Sequence, residues 1–143
     1  ISQPSSRIQD FIFWHYSMIS QIEEGFGDEE FEKGNIQKAN EHYQKALSLI
    51  QESYNFREGE YQKVKNPNTY QRRIHNLRRL GAIQVKSGKT DEGFEKIFEA
   101  NKSLLEAIKA DPQNLRSHFE LALSNNDLAN LYQRTNNPTK YIE

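Results

Sequence analysis

Histidine is the side chain best suited to act as a base or metal ligand near neutral pH, and this chain has four: His15, His42, His75 and His118. No two stand four residues apart, the spacing that sets two imidazoles on one side of a helix, and no cysteine exists to complete a metal site. The acidic run Glu23, Glu24, Asp28, Glu29, Glu30 and Glu32 could feed a metal or an acid–base pair. A solvated helix end has the same composition, and that is the reading taken here. Gly25-x-Gly27 is no phosphate loop, because Asp28, Glu29 and Glu30 follow at once and repel anions. Asn101-Lys102-Ser103 matches a glycosylation acceptor but falls inside a helical pattern. Nothing here specifies a catalytic residue, a cofactor or a metal, so the expectation is a protein that is not an enzyme.

Two groups suit recognition better than reaction. Arg72, Arg73, His75, Arg78 and Arg79, with Tyr70 nearby, form a basic segment of the sort that tracks a phosphate backbone. The chain as a whole is not basic, and its acidic first part would repel a polyanion, which argues against nucleic acid. Asn126 and Asn130, four residues apart, can present paired amides to the backbone of an extended peptide.

The elements that position these groups follow from an internal repeat. One window holds Phe26-Gly27, Gly34, Ala39, Tyr43 and Ala46; a second holds Leu80-Gly81, Gly88, Gly93, Ile97 and Ala100, each 54 residues on. A third begins at Leu128-Ala129, with Asn136 in place of the loop glycine, 48 residues beyond the second. A large residue beside a tiny one lets a neighbouring helix come close. The glycine seven residues later suits a left-handed helix end. Small, large and small side chains at i, i+4 and i+7 form one packed face of a returning helix.

The spacing predicts an opening helix from about Ser6 to Lys33, carrying Ile8, Phe11, Ile12, Ile19, Ile22 and Phe26. Its returning helix carries Ile36, Ala39, Tyr43, Ala46, Leu47, Ile50 and Tyr54. A later returning helix has Thr90 as its N-cap and stops at Asp111-Pro112. The stretch 55–68, NFREGEYQKVKNPN, reads as a polar loop with Gly59 and Pro67. One domain over 1–143 is expected, with repeat units of about 6–56 and 68–111 and a partial unit over 114–143.

Bulk composition agrees with a thin helical layer. Hydrophobic residues make up 35% and charged residues 27% of 143, and mean hydropathy is −0.93, wetter than a sphere-like globule. The 16 aromatics (Phe 8, Tyr 7, Trp 1) argue for a folded chain. Residues 1–60 carry 5 Lys+Arg against 11 Asp+Glu, net −6, and residues 61–143 carry 14 against 9, net +5. The most apolar run, Phe11 to Ile22, is too short and too often interrupted to span a bilayer. No membrane association and a cytoplasmic location are expected. A chain that opens on Ile1 rather than Met reads as a piece of a longer protein.

The residues Phe26-Gly27, Gly34, Ala39, Tyr43, Ala46 and their second set resemble the tetratricopeptide repeat over about residues 20–135. The stretch from Asp111-Pro112 to Leu121-Ala122-Leu123-Ser124 and Leu128-Ala129 is similar to a long-helix variant of it. That variant is often appended to bacterial signalling enzymes such as serine/threonine kinases and cyclases. The early first-helix aromatic of the family is Leu77 in the second window and Asn125 in the third. The third window is expected to lack its closing helix beyond Tyr141.

The resemblance implies an all-α fold of stacked antiparallel helix pairs, a right-handed α-solenoid with extended second helices. It implies a protein- or peptide-binding scaffold acting through a concave groove. Positions two and five on either side of each large residue lie about 140–160° round the helix from it and line that groove. They are Gln21, Glu24, Asp28 and Phe31; His75, Arg78, Ala82 and Val85; and Leu123, Asn126, Asn130 and Gln133. Arg78 would anchor an acidic group while Asn126 and Asn130 hold backbone. Glu24 and Asp28 carry the wrong sign for the family's carboxylate-gripping, chaperone-binding members. Two other readings are a regulatory segment of a larger signalling enzyme and a self-association module in which the unclosed third unit docks on a second copy.

Overall fold

In a computed structural model, described over residues 6–136, the chain is all-α. Five helices follow one another: α1 (Ser6–Glu32), α2 (Ile36–Lys63), α3 (Pro67–Lys86), α4 (Thr90–Ala110) and α5 (Leu115–Asn136). Among the described residues there is no strand, and no helix is long and apolar enough to cross a membrane. The chain forms two compact units, one reaching to Asn76 and the other starting at Leu77, with the division inside α3. The stretch beyond Asn136, with Tyr141 and the end of the expected third unit, lies outside the described residues.

The two turn glycines do what their spacing requires. Gly34 and Gly88 have φ of +81° and +99°, a region that costs other L residues about 1 kcal/mol or more. Each closes the same double hydrogen bond. The Gly34 and Asn35 amides donate to Phe31 O (3.0 Å) and Glu30 O (2.8 Å), and those of Gly88 and Lys89 donate to Val85 O (3.1 Å) and Gln84 O (2.9 Å). This two-bond closure satisfies carbonyls that a helix end otherwise orphans. The next helix starts in the same way in both places. Thr90 is therefore not the N-cap of α4: the cap is Lys89, with no side-chain hydrogen bond, as at Asn35 for α2. The turn's backbone bonds have already fixed the chain there.

In the first unit, contacts run down α1 as they climb α2. Gly27 lies under the Tyr43 ring so closely that a Cβ would sit 2.5 Å from Cε1. The Tyr43 hydroxyl donates to Asp28 Oδ1 at 2.7 Å. Lower down, Phe13 stacks on Phe56 with centroids 4.4 Å apart. Buried Arg57 donates to Asp10 Oδ1 (2.5 Å) and Glu60 Oε1 (2.9 Å). These contacts explain why 55–63 is helix and not the loop expected from its polarity. Phe56 and Arg57 have partners on α1, so tertiary contact outweighs the cost of about 1 kcal/mol for Gly59 in a helix. The true connector is Val64 to Asn66. Asn66 Oδ1 accepts from the Thr69 amide at 2.9 Å, and Thr69 Oγ1 accepts from the Asn66 amide at 3.2 Å, a reciprocal cap with Pro67 in the first turn.

In the second unit the approach is closer still. A Cβ on Gly81 would lie 2.6 Å from Gly93 O and 2.8 Å from Ile97 Cγ1, and one on Gly93 would lie 2.5 Å from Gly81 O. The two backbones are in contact. Around them Ala82, Val85, Ile97 and Leu131 form a core, flanked by Phe94 and Leu128, with Ala100 and Leu104 buried beside it. α4 ends at Ala110, before Asp111-Pro112, as expected. Asn114 then caps α5 by accepting from the Ser117 amide at 3.1 Å.

The third window departs from the other two. Ala129 is exposed, because among the described residues no helix returns onto it; Leu131, 2% exposed, supplies the buried apolar contact instead. Phe26 is also exposed at 48%, whereas Leu80, its counterpart, is fully buried. The large member of the pair is therefore fully buried in the second window, half-buried against the core in the third as Leu128, and open in the first.

Gly81→Leu is expected to cost on the order of 1–3 kcal/mol or more, since the obstructing atoms are backbone. Gly27→Leu should cost less, because only a ring must move. Chemical denaturation followed by circular dichroism checks the order, and equal midpoints for Gly81→Leu and the parent would contradict it.

Candidate functional site

The twelve positions expected to form a binding surface fall into three groups. Gln21, Asn126, Asn130 and Gln133 are exposed; Glu24, Asp28, Phe31, His75 and Leu123 are half-buried; Arg78, Ala82 and Val85 are buried. Asp28 is engaged by Tyr43. Ala82 and Val85 belong to the core of the second unit. Asn126, Asn130 and Gln133 stand open on α5, and Gln21 on α1.

Arg78 holds acidic groups of its own chain. Its Nε donates to Glu120 Oε2 at 3.0 Å and its Nη1 to Asp127 Oδ2, which ties α3 to α5. Glu120 and Arg78 are 8% and 7% exposed, so the pair sits where charges survive only by satisfying each other. An anchor for an external acidic group would need a donor facing outward, and this guanidinium faces inward.

The rest of the basic segment is likewise engaged. Arg72 lies 3.4 Å from Asp10 Oδ1. Arg73 donates to Glu58 Oε2 and sits over the Tyr61 ring at 5.4 Å, while Arg79 is buried. For Glu58, burial opposes ionisation but is outweighed by hydrogen bonds from Gln62 and Arg73 and by the Arg73 and Lys65 charges, so its carboxyl is held below the ordinary value. The acidic run is dispersed into separate pairs. Glu23 meets His42 Nδ1 at 2.6 Å, Glu29 meets Lys33 Nζ at 3.1 Å, and Glu30 accepts from Asn35 Nδ2 at 2.7 Å. That bond from Asn35 is the main reason the Glu30 carboxyl is held below its usual range. Among the described residues no cluster of three or more histidines and carboxylates could hold a metal ion.

What the fold leaves open is apolar. On α5, Leu115 (79%), Phe119 (65%) and Tyr132 (41%) are exposed, as are Ala122, Asn126, Ala129 and Gln133. At 100° per residue, Leu115, Phe119, Ala122, Asn126, Ala129 and Gln133 fall on one face of the helix. On α1, Ile8, Phe11, Ile12, Trp14, Met18, Ile19, Ile22 and Phe26 are all between 38% and 64% exposed. A recess of 590 Å³ opens at the start of this stripe between Arg7, Ile8, Asp10, Phe11 and Trp14. Periodicity alone showed Ile8, Phe11, Ile12, Ile19, Ile22 and Phe26 as the apolar residues of the opening helix but not which side is covered. The signal was the other line, Phe13, Ser20 and Gly27, spaced by seven, where α2 docks.

No known protein family, curated protein or solved structure matches the chain.

Arg78→Glu should destabilise the second unit by about 3–5 kcal/mol, as expected when a buried pair loses a partner; thermal unfolding measures it. Retention of the parent's melting temperature would show that the buried triad contributes nothing. For Glu58 the sign follows from its depressed value. Its stabilisation is present above the unfolded-state carboxyl value and is lost as pH falls through the folded one. Glu58→Gln should therefore flatten the acid limb of the stability–pH curve, read by denaturation at several pH values.

Proposed function

We propose that this chain is a protein-binding module of the tetratricopeptide kind, an α-solenoid whose antiparallel helix pairs are α1–α2 and α3–α4, and that it acts by docking and not by catalysis. The observation that supports it is the open face of α5. Leu115 and Phe119 offer apolar anchors, Ala122 and Ala129 leave room for a partner's backbone, and Asn126 and Gln133 supply donors and acceptors beside them. Aromatic and aliphatic anchors set among amides are the usual composition of a docking patch, and contiguous exposed apolar surface of this kind marks interaction sites. The counterpart positions on α1, those of Phe13, Ser20 and Gly27, are covered by α2. On α5 the corresponding line faces outward.

Asn130, one turn from Asn126, adds a second amide to the same side. In this reading the partner is an amphipathic or extended segment that places an apolar side chain between Leu115 and Phe119 and its backbone along the asparagines.

Selection of peptides from a displayed library against the folded chain tests it. Selected peptides should lose roughly five- to tenfold in affinity for each of Asn126→Ala and Asn130→Ala, at about 1 kcal/mol per hydrogen bond, and more for Phe119→Ala, with helicity unchanged. Peptides whose affinity is untouched by all three substitutions would place binding elsewhere.

A further inference from the structure

The internal repeat says what kind of surface covers the stripe on α1. Adding 102 to α1 positions gives their counterparts on α5: His15, Met18, Ile22 and Glu29 become Ser117, Glu120, Ser124 and Leu131. On α5 all four are buried, at 0%, 8%, 0% and 2%. They are covered by helices of the same repeat: Arg78 of α3 holds Glu120, Asn101 of α4 accepts from Ser124 Oγ, and Leu131 packs in the core with Val85 and Ile97. The same holds on α3 within the first unit, where Asn76, the counterpart of Ile22, lies 3.0 Å from Ser53 Oγ of α2. So this side of a first helix is docked on a preceding helix in both other instances. In α1 it carries the most apolar side chains of the three and is open.

The same arithmetic marks the docking point on the preceding helix. α5 meets α3 at Arg78, and the counterpart of Arg78 one window on is Asn126, in the middle of the open face of α5. An α1 stripe that docks as α5 does on α3 therefore lands on that face. Charged groups of both helices are engaged within their own chain: Asp10, Glu23, Glu29 and Glu30 on α1, and Glu120 and Asp127 on α5. The repeat and the apolar rows therefore set the pairing.

We infer that the occupant of the open α5 face is the α1 stripe of a second copy of this chain, which makes the molecule a head-to-tail self-associating unit. This rests on the binding reading above and names its partner. The contact uses two different surfaces, so each docked copy still presents one of them and association continues with concentration until a ring closes. Ile8, Ile12, Ile19, Ile22 and Phe26 recur at spacings of four, seven, three and four, which keep them on one side of the helix as a long seam requires. The recess beside Phe11 and Trp14 gives a large partner side chain a place to enter.

Sedimentation of the whole chain and two variants tests this. Ile19→Lys disables the α1 stripe and Phe119→Lys disables the α5 face; both positions are exposed, and Ile8→Lys and Leu115→Lys repeat the test should either variant lose helicity. The parent is expected to gain mass with concentration up to about 1 mM, the weakest affinity worth reading. Each variant alone should stay at 16.8 kDa, and an equimolar mixture should reach twice that mass and stop. Association of Phe119→Lys by itself would mean stripe-to-stripe pairing and overturn the inference, and so would a mixture that stays monomeric. A parent that is monomeric throughout yet retains its selected peptides would overturn it while leaving the binding reading intact. Loss of both peptide retention and association would remove the two together.

Discussion

Everything in this fold depends on side chains that are absent. Gly81 and Gly93 bring two helices into backbone contact, and Gly27 lets the Tyr43 ring lie flat on α1. Close packing at these points sets the position of each returning helix, and the aliphatic residues on either side then fill what space remains. Ile50 and Leu104, again 54 residues apart, are both fully buried further along α2 and α4, so the two helices repeat one packing scheme over most of their length. The left-handed glycines at 34 and 88 complete it. They turn the chain within three residues, which puts the small residues opposite one another without a long loop to order.

Polarity in this molecule is distributed against intuition. Several buried positions are polar: Ser20, Ser53, Asn76, Ser117 and Ser124. Small hydroxyls allow close approach, and their hydrogen bonds are met inside, as with Ser53 Oγ between Phe13 O (3.1 Å) and Asn76 Oδ1 (3.0 Å), whose single proton serves one acceptor at a time. Among the described residues, eight exposed large apolar side chains lie on α1 alone. α1 shows its isoleucines to water while burying Ser20, and a contiguous apolar row of this kind is the sort of surface that marks interaction sites. The self-association proposed above covers that row with a helix the same chain carries.

The repeat was legible because its determinants are residue types with no substitute. Glycine takes the turn φ without cost, and a Cβ has no room at the Gly81–Gly93 crossing, so spacing alone located the turns at Gly34 and Gly88 and the close approaches beside them. The loop assignment for 55–63 failed because polarity was read without partners: Arg57 is buried only because Asp10, nearly fifty residues earlier, receives it. Arg78 failed similarly, since a lone arginine gives no sign that Glu120 and Asp127 will close on it. For α1, the 3.6-residue period revealed an apolar row, but not that α2 docks along the other line, Phe13, Ser20 and Gly27. Asn126, Asn130 and Gln133 stand exposed on α5, where among the described residues no later helix covers them.

The backbone contact between α3 and α4 is the claim that carries the most weight, and proton NMR reaches it directly. A nuclear Overhauser contact between the Hα protons of Gly81 and Gly93, accompanied by one from Gly27 Hα to the Tyr43 ring, is the expected result. Absence of the Gly81–Gly93 contact in a folded, fully assigned chain would contradict the packing from which the two units are built.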